Sequence, residues 1–355
     1  MFFNKSLVSI DIGSSTIKLI ELSGNGAQRK LKNFAVESSP LDAFDNGNIV
    51  DTAAIAQCLK HMVTQLKLKG RFASVSISGG GVVLKRLRIT VSSDSTLREQ
   101  VDYHASQAFE LDPVDLYYDY AEMSRTEIEG THEVDVLLVG ARREIVEQYV
   151  AVIKDSGLQL AVIEPSAISF SNMFELNYGF IESAVALISI GASHSQVSFI
   201  HGGRLLYSHT IPVGGEVYTS TIMQSIEHER KKAEDLKISA SQNPAGMSPD
   251  LLRVMNETNA LVSSDVRQVF SFFDAGGFEV GAVKYAFLTG GASRTFGLHD
   301  AIAAALGVPV NFANPFQRVQ VSGRGFRLDQ VMALGPVLGV AVGLGVRTKG
   351  DKVAA

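Results

Sequence analysis

Apolar and polar positions along the chain repeat with two periods, and these separate strands from helices. Residues 6–22, SLVSIDIGSSTIKLIEL, open with a buried-strand run at Leu7, Val8 and Ile10. A polar turn follows, Asp11-Ile12-Gly13-Ser14-Ser15-Thr16, and residues 17–22 return as a second strand. Residues 29–37 predict a third strand, and 38–47 form a turn-rich connection. Residues 51–68 carry Ile55, Leu59, Met62, Val63 and Leu66 at helical spacing and stop at Gly70. Strands are expected at 72–78 and 82–89, with Gly79-Gly80-Gly81 as a tight connection between them. Residues 95–110 predict a helix, 117–123 and 133–139 strands, and 142–156 a helix ended by Gly157. The segment 90–157 therefore reads as a self-contained α+β insertion.

The second half repeats the opening plan. A strand at 158–163 leads to Glu164-Pro165, and Pro165 opens a helix reaching Asn177. A buried strand at 184–190 runs into Gly191-Ala192-Ser193-His194-Ser195, and strands at 196–200 and 204–210 follow. This is again strand, turn, strand, turn, strand, which suggests internal duplication. Helices are expected over 216–236 and 250–273, joined by a polar connection at 237–249. Residues 285–288 read as a buried strand ending in Thr289-Gly290-Gly291-Ala292-Ser293, before a helix at 298–306 and an edge strand from Val308. Residues 331–346, VMALGPVLGVAVGLGV, read as a small-residue helix packed inside the protein. They are shorter than the ~20 apolar residues that a spanning helix needs.

Composition narrows the function classes. The chain has 355 residues, 46% of them hydrophobic and 19% charged, enough for two lobes with sizeable cores. A net charge of −5 without a basic run argues against nucleic acid as the main partner. Cys58 is the only cysteine, so no intrachain disulfide forms, in keeping with a reducing compartment. No secretory signal is read at the start of the chain.

The first turn carries the leading candidate chemistry. Gly13 permits close approach of a ligand, and Ser14, Ser15 and Thr16 offer successive amides and hydroxyls to a phosphate. Asp11 at the strand end suits Mg²⁺ held through water, and Lys18 suits a phosphate oxygen. The same stretch also reads as an ordinary polar hairpin. His194, His201 and His209 lack metal-ligand spacing, and no Ser-His-Asp order stands out.

Three glycine-bearing turns after three buried strands, at Gly13, Gly191 and Gly290-Gly291, with the repeated halves, resemble the actin-like, Hsp70-like ATPase fold. Within it the chain resembles the PilM family of type IV pilus assembly over nearly its whole length. The resemblance rests on DIGSSTIKLIEL, EVDVLLVGARREIVEQYVAVIKDSGL, VGGEVYTSTI, KKAEDLK, FLTGGASRTFGLHDAIAAALGVPVNFANPF and GPVLGVAVGLGVR. It implies an α/β fold of two lobes with an FtsA-like inserted subdomain. The first lobe would take residues 1–89, 158–180 and 331–355, and the insert 90–157. The second lobe would take 181–215 with 281–330, and its helical subdomain 216–280.

The resemblance also implies a site for ATP and Mg²⁺. Asp11, Gly13, Ser14, Ser15, Thr16 and Lys18 match the first phosphate loop, with Asp11 as the metal-linked carboxylate. Gly191, Ala192, Ser193 and Ser195 match the second phosphate loop, and Glu234 and Lys237 the ribose and base contacts. Gly290, Gly291 and Ala292 match the adenosine loop, and Glu164 the interlobe carboxylate that orients water near the γ-phosphate. One departure stands out: Ser189 occupies a position usually held by Asp, which implies slow or absent ATP hydrolysis. The implied function is a cytoplasmic scaffold held at the inner membrane by the cytoplasmic tail of a PilN-like protein, without membrane insertion of its own; other pilus assembly proteins are further candidate partners. Alternatives are an actin-fold phosphotransferase of the sugar- or acetate-kinase type, whose substrate-lobe motifs are not found, and an FtsA-like division protein. The latter usually carries a terminal amphipathic membrane helix, which RTKGDKVAA does not resemble.

Overall fold

The computed structural model describes residues 6–92, 96–128, 130–278, 280–321 and 326–350. Expectations that fall on residues 1–5, on Ser95 and on residues 351–355 lie outside them. The chain opens with the meander β1 (Val8–Ile12), β2 (Thr16–Ser23) and β3 (Lys30–Ser38). A small hairpin, β4 (Phe44–Asp45) and β5 (Asn48–Ile49), leads to helix α1 (Thr52–Gln65) and strand β6 (Phe72–Ile77). Asp51 caps α1 by accepting the Ala54 amide at 2.9 Å. Its buried residues Ile55, Leu59, Met62 and Val63 form one stripe on the sheet.

The insert follows as β7 (Val82–Val91), α2 (Leu97–Phe109), β8 (Leu116–Ile128) and β9 (Thr131–Arg142). Its three-stranded antiparallel sheet has the order β7-β9-β8. Two boundaries differ from the expected 90–157. The sheet starts at Val82, because β7 pairs with β9 along its whole length, from Val82 opposite Ala141 to Val91 opposite His132. At the other end, α3 (Arg143–Asp155) leaves the insert. Its buried Val146, Tyr149, Val152 and Ile153 join the core beneath α1 and β6.

Strand β10 (Gln159–Pro165) and helix α4 (Ser166–Tyr178) carry the chain across to the second lobe. There β11 (Val185–Ile190), β12 (Ser195–His201) and β13 (Arg204–Ile211) form a second meander. Helices α5 (Gly215–Ser225), α6 (Arg230–Gln242) and α7 (Pro249–Ala275) cover it. Strand β14 (Tyr285–Thr289), helix α8 (Leu298–Leu306) and strand β15 (Val310–Phe312) complete the lobe. The helix expected at 216–236 is thus two helices, and the second runs on to Gln242. Lys237 therefore stands on a helix, not in a connection.

The two lobes share one topology. Their five-stranded sheets run β10-β6-β1-β2-β3 and β13-β12-β11-β14-β15. In each, a meander pairs antiparallel and its first strand pairs parallel with the next strand, β1 with β6 and β11 with β14. The central strands are buried on both faces, which is why β11 reads VALISI without polar alternation.

The last apolar stretch is not one helix. It forms α9 (Leu328–Ala333), a tight turn at Gly335–Val337 and α10 (Gly339–Leu344). Pro336 breaks the helix by removing an amide donor. Helix α10 then packs on α4 so closely that a β-carbon at Gly343 would lie 1.6 Å from the Ser169 carbonyl oxygen. Among the described residues no helix is long and apolar enough to cross a membrane.

Candidate functional site

The two meanders place two equivalent turns face to face. In the first, Ile12 pairs with Ile17, and the Gly13 amide donates to the Thr16 carbonyl at 3.1 Å. In the second, Ile190 pairs with Ser195, and the Gly191 amide donates to the His194 carbonyl at 3.0 Å. The amides of Ser14, Ser15, Ala192 and Ser193 make no backbone hydrogen bond among the described residues. Such a concave run of donors suits an anion. The turns touch one another: the Ser14 hydroxyl donates to Ser193 Oγ at 3.1 Å. The tip of the β4–β5 hairpin, Gly47, rests on Ser193 and His194. Burial pushes the His194 imidazole below its ordinary range, and the charge of Asp11 opposes that shift.

Asp11 and Lys18 face one another across β1 and β2, with Lys18 Nζ 3.0 Å from Asp11 Oδ2. Ser76 on β6 donates to Asp11 Oδ1 at 3.3 Å. The carboxylate is thus held at the mouth of the first turn by two elements of one lobe.

The third turn follows β14 and is held by the turn at Gly335–Val337. The Gly290 amide and the Thr289 hydroxyl both donate to the Pro336 carbonyl, at 2.8 and 2.6 Å. The break in the last apolar stretch therefore supplies the acceptor that anchors this turn. Gly290 has φ +91°, and a β-carbon there would lie 2.3 Å from the Ile190 carbonyl oxygen. Only glycine fits. Glu234 and Lys237 stand one helical turn apart on α6, with Lys237 Nζ 2.6 Å from Glu234 Oε2. Lys237 also donates to the Gly215 carbonyl at 3.2 Å and to Thr219 Oγ1 at 3.1 Å, and Thr219 donates to Glu234. This exceeds a simple surface ion pair, since it ties α6 to the start of α5.

These elements surround a cavity of about 450 Å³ between the lobes. Asp11, Gly13, Ser14, Ser15, Thr16, Lys18, Gly191, Ala192, Ser193, Glu234, Lys237, Gly290, Gly291 and Ala292 all line it. Its charged lining comprises Lys18, Lys237 and Arg294 against Asp11 and Glu234, a balance that favours an anionic ligand. Leu334, Val337 and Val340 add an apolar wall beside the third turn.

Two predicted residues lie elsewhere. Ser195 is buried, and its hydroxyl donates to the Val213 carbonyl at 2.6 Å, away from the cavity. Glu164 is buried with its carboxylate turned onto other partners. Arg347 Nη1 approaches its Oε2 at 2.9 Å, and Ser169 and Asn172 donate to Oε1 at 2.8 and 3.4 Å. By strand register Glu164 stands opposite Ser76, and Ser76 opposite Asp11, so the backbone position is near the site. The buried guanidinium and the α4 hydroxyl draw the side chain off.

Several lining residues escaped the sequence reading. Ser166, Gln196, His194 and Arg294 all contribute. Gln196 had a visible signal, a long polar side chain near the start of a mostly buried strand. Ser189 lines the cavity as the resemblance required, and its hydroxyl brings no charge.

Known proteins are similar to this chain in sequence and fold. A family model described as type IV pilus assembly protein PilM matches residues 9–349. The chain is similar to the solved PilM-PilN type IV pilus biogenesis complex at TM-score 0.84 and 22% identity, covering 97% of this chain and 100% of that one. It is similar to MreB 5 of Spiroplasma citri bound to AMPPNP at TM-score 0.50 and 14% identity, covering 89% of this chain and 93% of that one. Cell division protein FtsA of Streptococcus pneumoniae serotype 2 (strain D39 / NCTC 7466) is 26% identical over 260 residues, 64% of this chain. The chain spans about half the length of the curated relatives it matches, 54% for that protein. At these identities the solved structures establish the fold, which is the actin-like ATPase fold.

Proposed function

The chain belongs to the type IV pilus assembly protein PilM family, and on that premise we propose that it is an ATP-binding scaffold of pilus assembly. In this reading it docks the cytoplasmic tail of a PilN-like inner-membrane protein and works on the cytoplasmic face of that membrane.

The observation that carries the nucleotide part is the cavity itself. Two turns with free amides, one from each lobe, face a glycine turn beside an apolar wall. That arrangement suits phosphates at one end and a purine nucleoside at the other. The actin-like relative that holds AMPPNP supports the same assignment.

The donor set fits Mg²⁺. Asp11 supplies one carboxylate at the cavity, and Ser14 and Ser189 supply hydroxyls. Magnesium commonly binds through one or two carboxylates, waters and substrate phosphates, so Asp11 would hold it. When bound, the ion would offset charge on the phosphates. This chain's own residues favour binding over turnover. Ser189 adds no second charge, and Glu164 is committed to Arg347 and Ser169.

The partner follows from full-length similarity to the PilM-PilN complex. A short tail loses conformational entropy on docking, so it needs apolar anchors in a preformed groove. The test is membrane fractionation with the partner's cytoplasmic tail deleted. The reading expects this protein to move to the soluble fraction. Equal binding of the purified chain to protein-free liposomes and to partner-containing membranes would contradict it.

A further inference from the structure

We propose that Gln196, oriented by Ser166, contacts the terminal phosphate, so that the site distinguishes a nucleoside triphosphate from a diphosphate. This rests on the nucleotide-binding reading above and adds a specificity residue to it.

Sheet order supplies the argument. In the second lobe β14 and β12 flank β11 on opposite sides. Strand β14 runs into Gly290, on the side assigned to the nucleoside. Strand β11 ends at the anion-suited turn, and β12 begins beyond it with Gln196 as its second residue. A nucleotide lying from Gly290 across that turn therefore puts its last phosphate on the β12 side. Gln196 pairs with Ser189 across the strands, and both line the cavity.

The first lobe reaches the same point. Ser166 opens α4, and its hydroxyl donates to Gln196 Oε1 at 2.8 Å. That bond occupies the amide's acceptor and turns Nε2, with its two N–H donors, away from Ser166. Among the described residues Nε2 donates to no protein group. A phosphate oxygen needs such donors, and hydrogen bonds to a charged oxygen are about twice as strong as neutral ones. The turn amides serve any phosphate, whereas a donor beyond them serves the last one only. Glu164, two residues before Ser166, does not compete for the position, because its carboxylate faces Arg347. The Ser166–Gln196 bond joins the lobes, so it also requires them closed.

Calorimetric titrations with ATP and with ADP, both with Mg²⁺, test this on wild type, Gln196→Ala, Gln196→Glu and Ser166→Ala. Gln196→Ala should weaken ATP binding about tenfold, equivalent to ~1.4 kcal/mol, and leave ADP binding unchanged. Gln196→Glu sets an anion against the phosphate and should lose more ATP affinity than alanine does. Ser166→Ala leaves the amide unoriented and should lose a smaller share. Retained ADP affinity certifies that each variant is folded. Equal losses for ATP and ADP, or no loss of either, would overturn the role of Gln196. A wild type that binds neither nucleotide would overturn the underlying reading as well, so the two failures are distinguishable.

Discussion

Replacing Arg347 with alanine leaves the Glu164 carboxylate buried without its guanidinium. The side chains of the pair are 14% and 5% exposed, and the contact is 2.9 Å. Removing one partner of a buried ion pair costs about 3–5 kcal/mol, because the remaining charge stays desolvated. Ser169 and Asn172 still donate to Glu164, which places Arg347→Ala toward the lower end of that range. Glu164→Gln still leaves the Arg347 guanidinium buried, but its amide oxygen remains an acceptor in place and Arg347 is the more exposed partner, so it should cost less. The double variant Glu164→Gln with Arg347→Met carries no buried charge at this place. It should recover most of the loss, since replacing both partners is often neutral. Urea unfolding of wild type, Glu164→Gln, Arg347→Met and the double variant measures the coupling as a double-mutant cycle, with Arg347→Ala compared alongside. A cost below about 1 kcal/mol for Arg347→Ala would refute the reasoning. So would Glu164→Gln abolishing ATP binding at unchanged stability, because the carboxylate would then serve the cavity.

Gly290→Ala should lower stability by about 1–3 kcal/mol from backbone strain alone, with a further loss from the contact on Ile190; an unchanged melting temperature would contradict this. Burial raises the Glu21 carboxyl, but hydrogen bonds from Ser6, Asn33 and Arg71 outweigh it and hold the pKa below the ordinary value. A depressed folded-state value contributes stability above the unfolded carboxylate pKa, and that stability is lost as pH falls through the folded value. Arg71→Met should therefore flatten the acid side of the stability–pH curve, and an unchanged slope would argue against the network. Phosphate release from ATP should be far slower than the ~1–100 s⁻¹ of kinases, and turnover in that range would contradict the assignments of Ser189 and Glu164.

The paired meanders were legible because strand period and turn chemistry are local properties. Asp11 to Thr16 and Gly191 to Ser193 announce their turns within a few residues, and the cavity is built where those turns meet. Glu164 was not legible, because its direction depends on Arg347, 183 residues later in the chain. Ser195 fails for a related reason: one residue past a turn, strand alternation buries it against Val213. The bounds of the insert follow from tertiary choices. Helix α3 has an apolar stripe that would serve either neighbour, and only packing assigns it to the first lobe. The break at Pro336 was visible as a proline, but its use as the acceptor for Gly290 was not.

The most direct test of the central claim is calorimetric titration of ATP into the purified chain, with and without Mg²⁺, for wild type and Asp11→Ala. The account predicts one nucleotide per chain, tighter with Mg²⁺ in the wild type, with that Mg²⁺ dependence reduced in the variant. Equal ATP affinity in wild type and variant, whether or not Mg²⁺ is present, would contradict it.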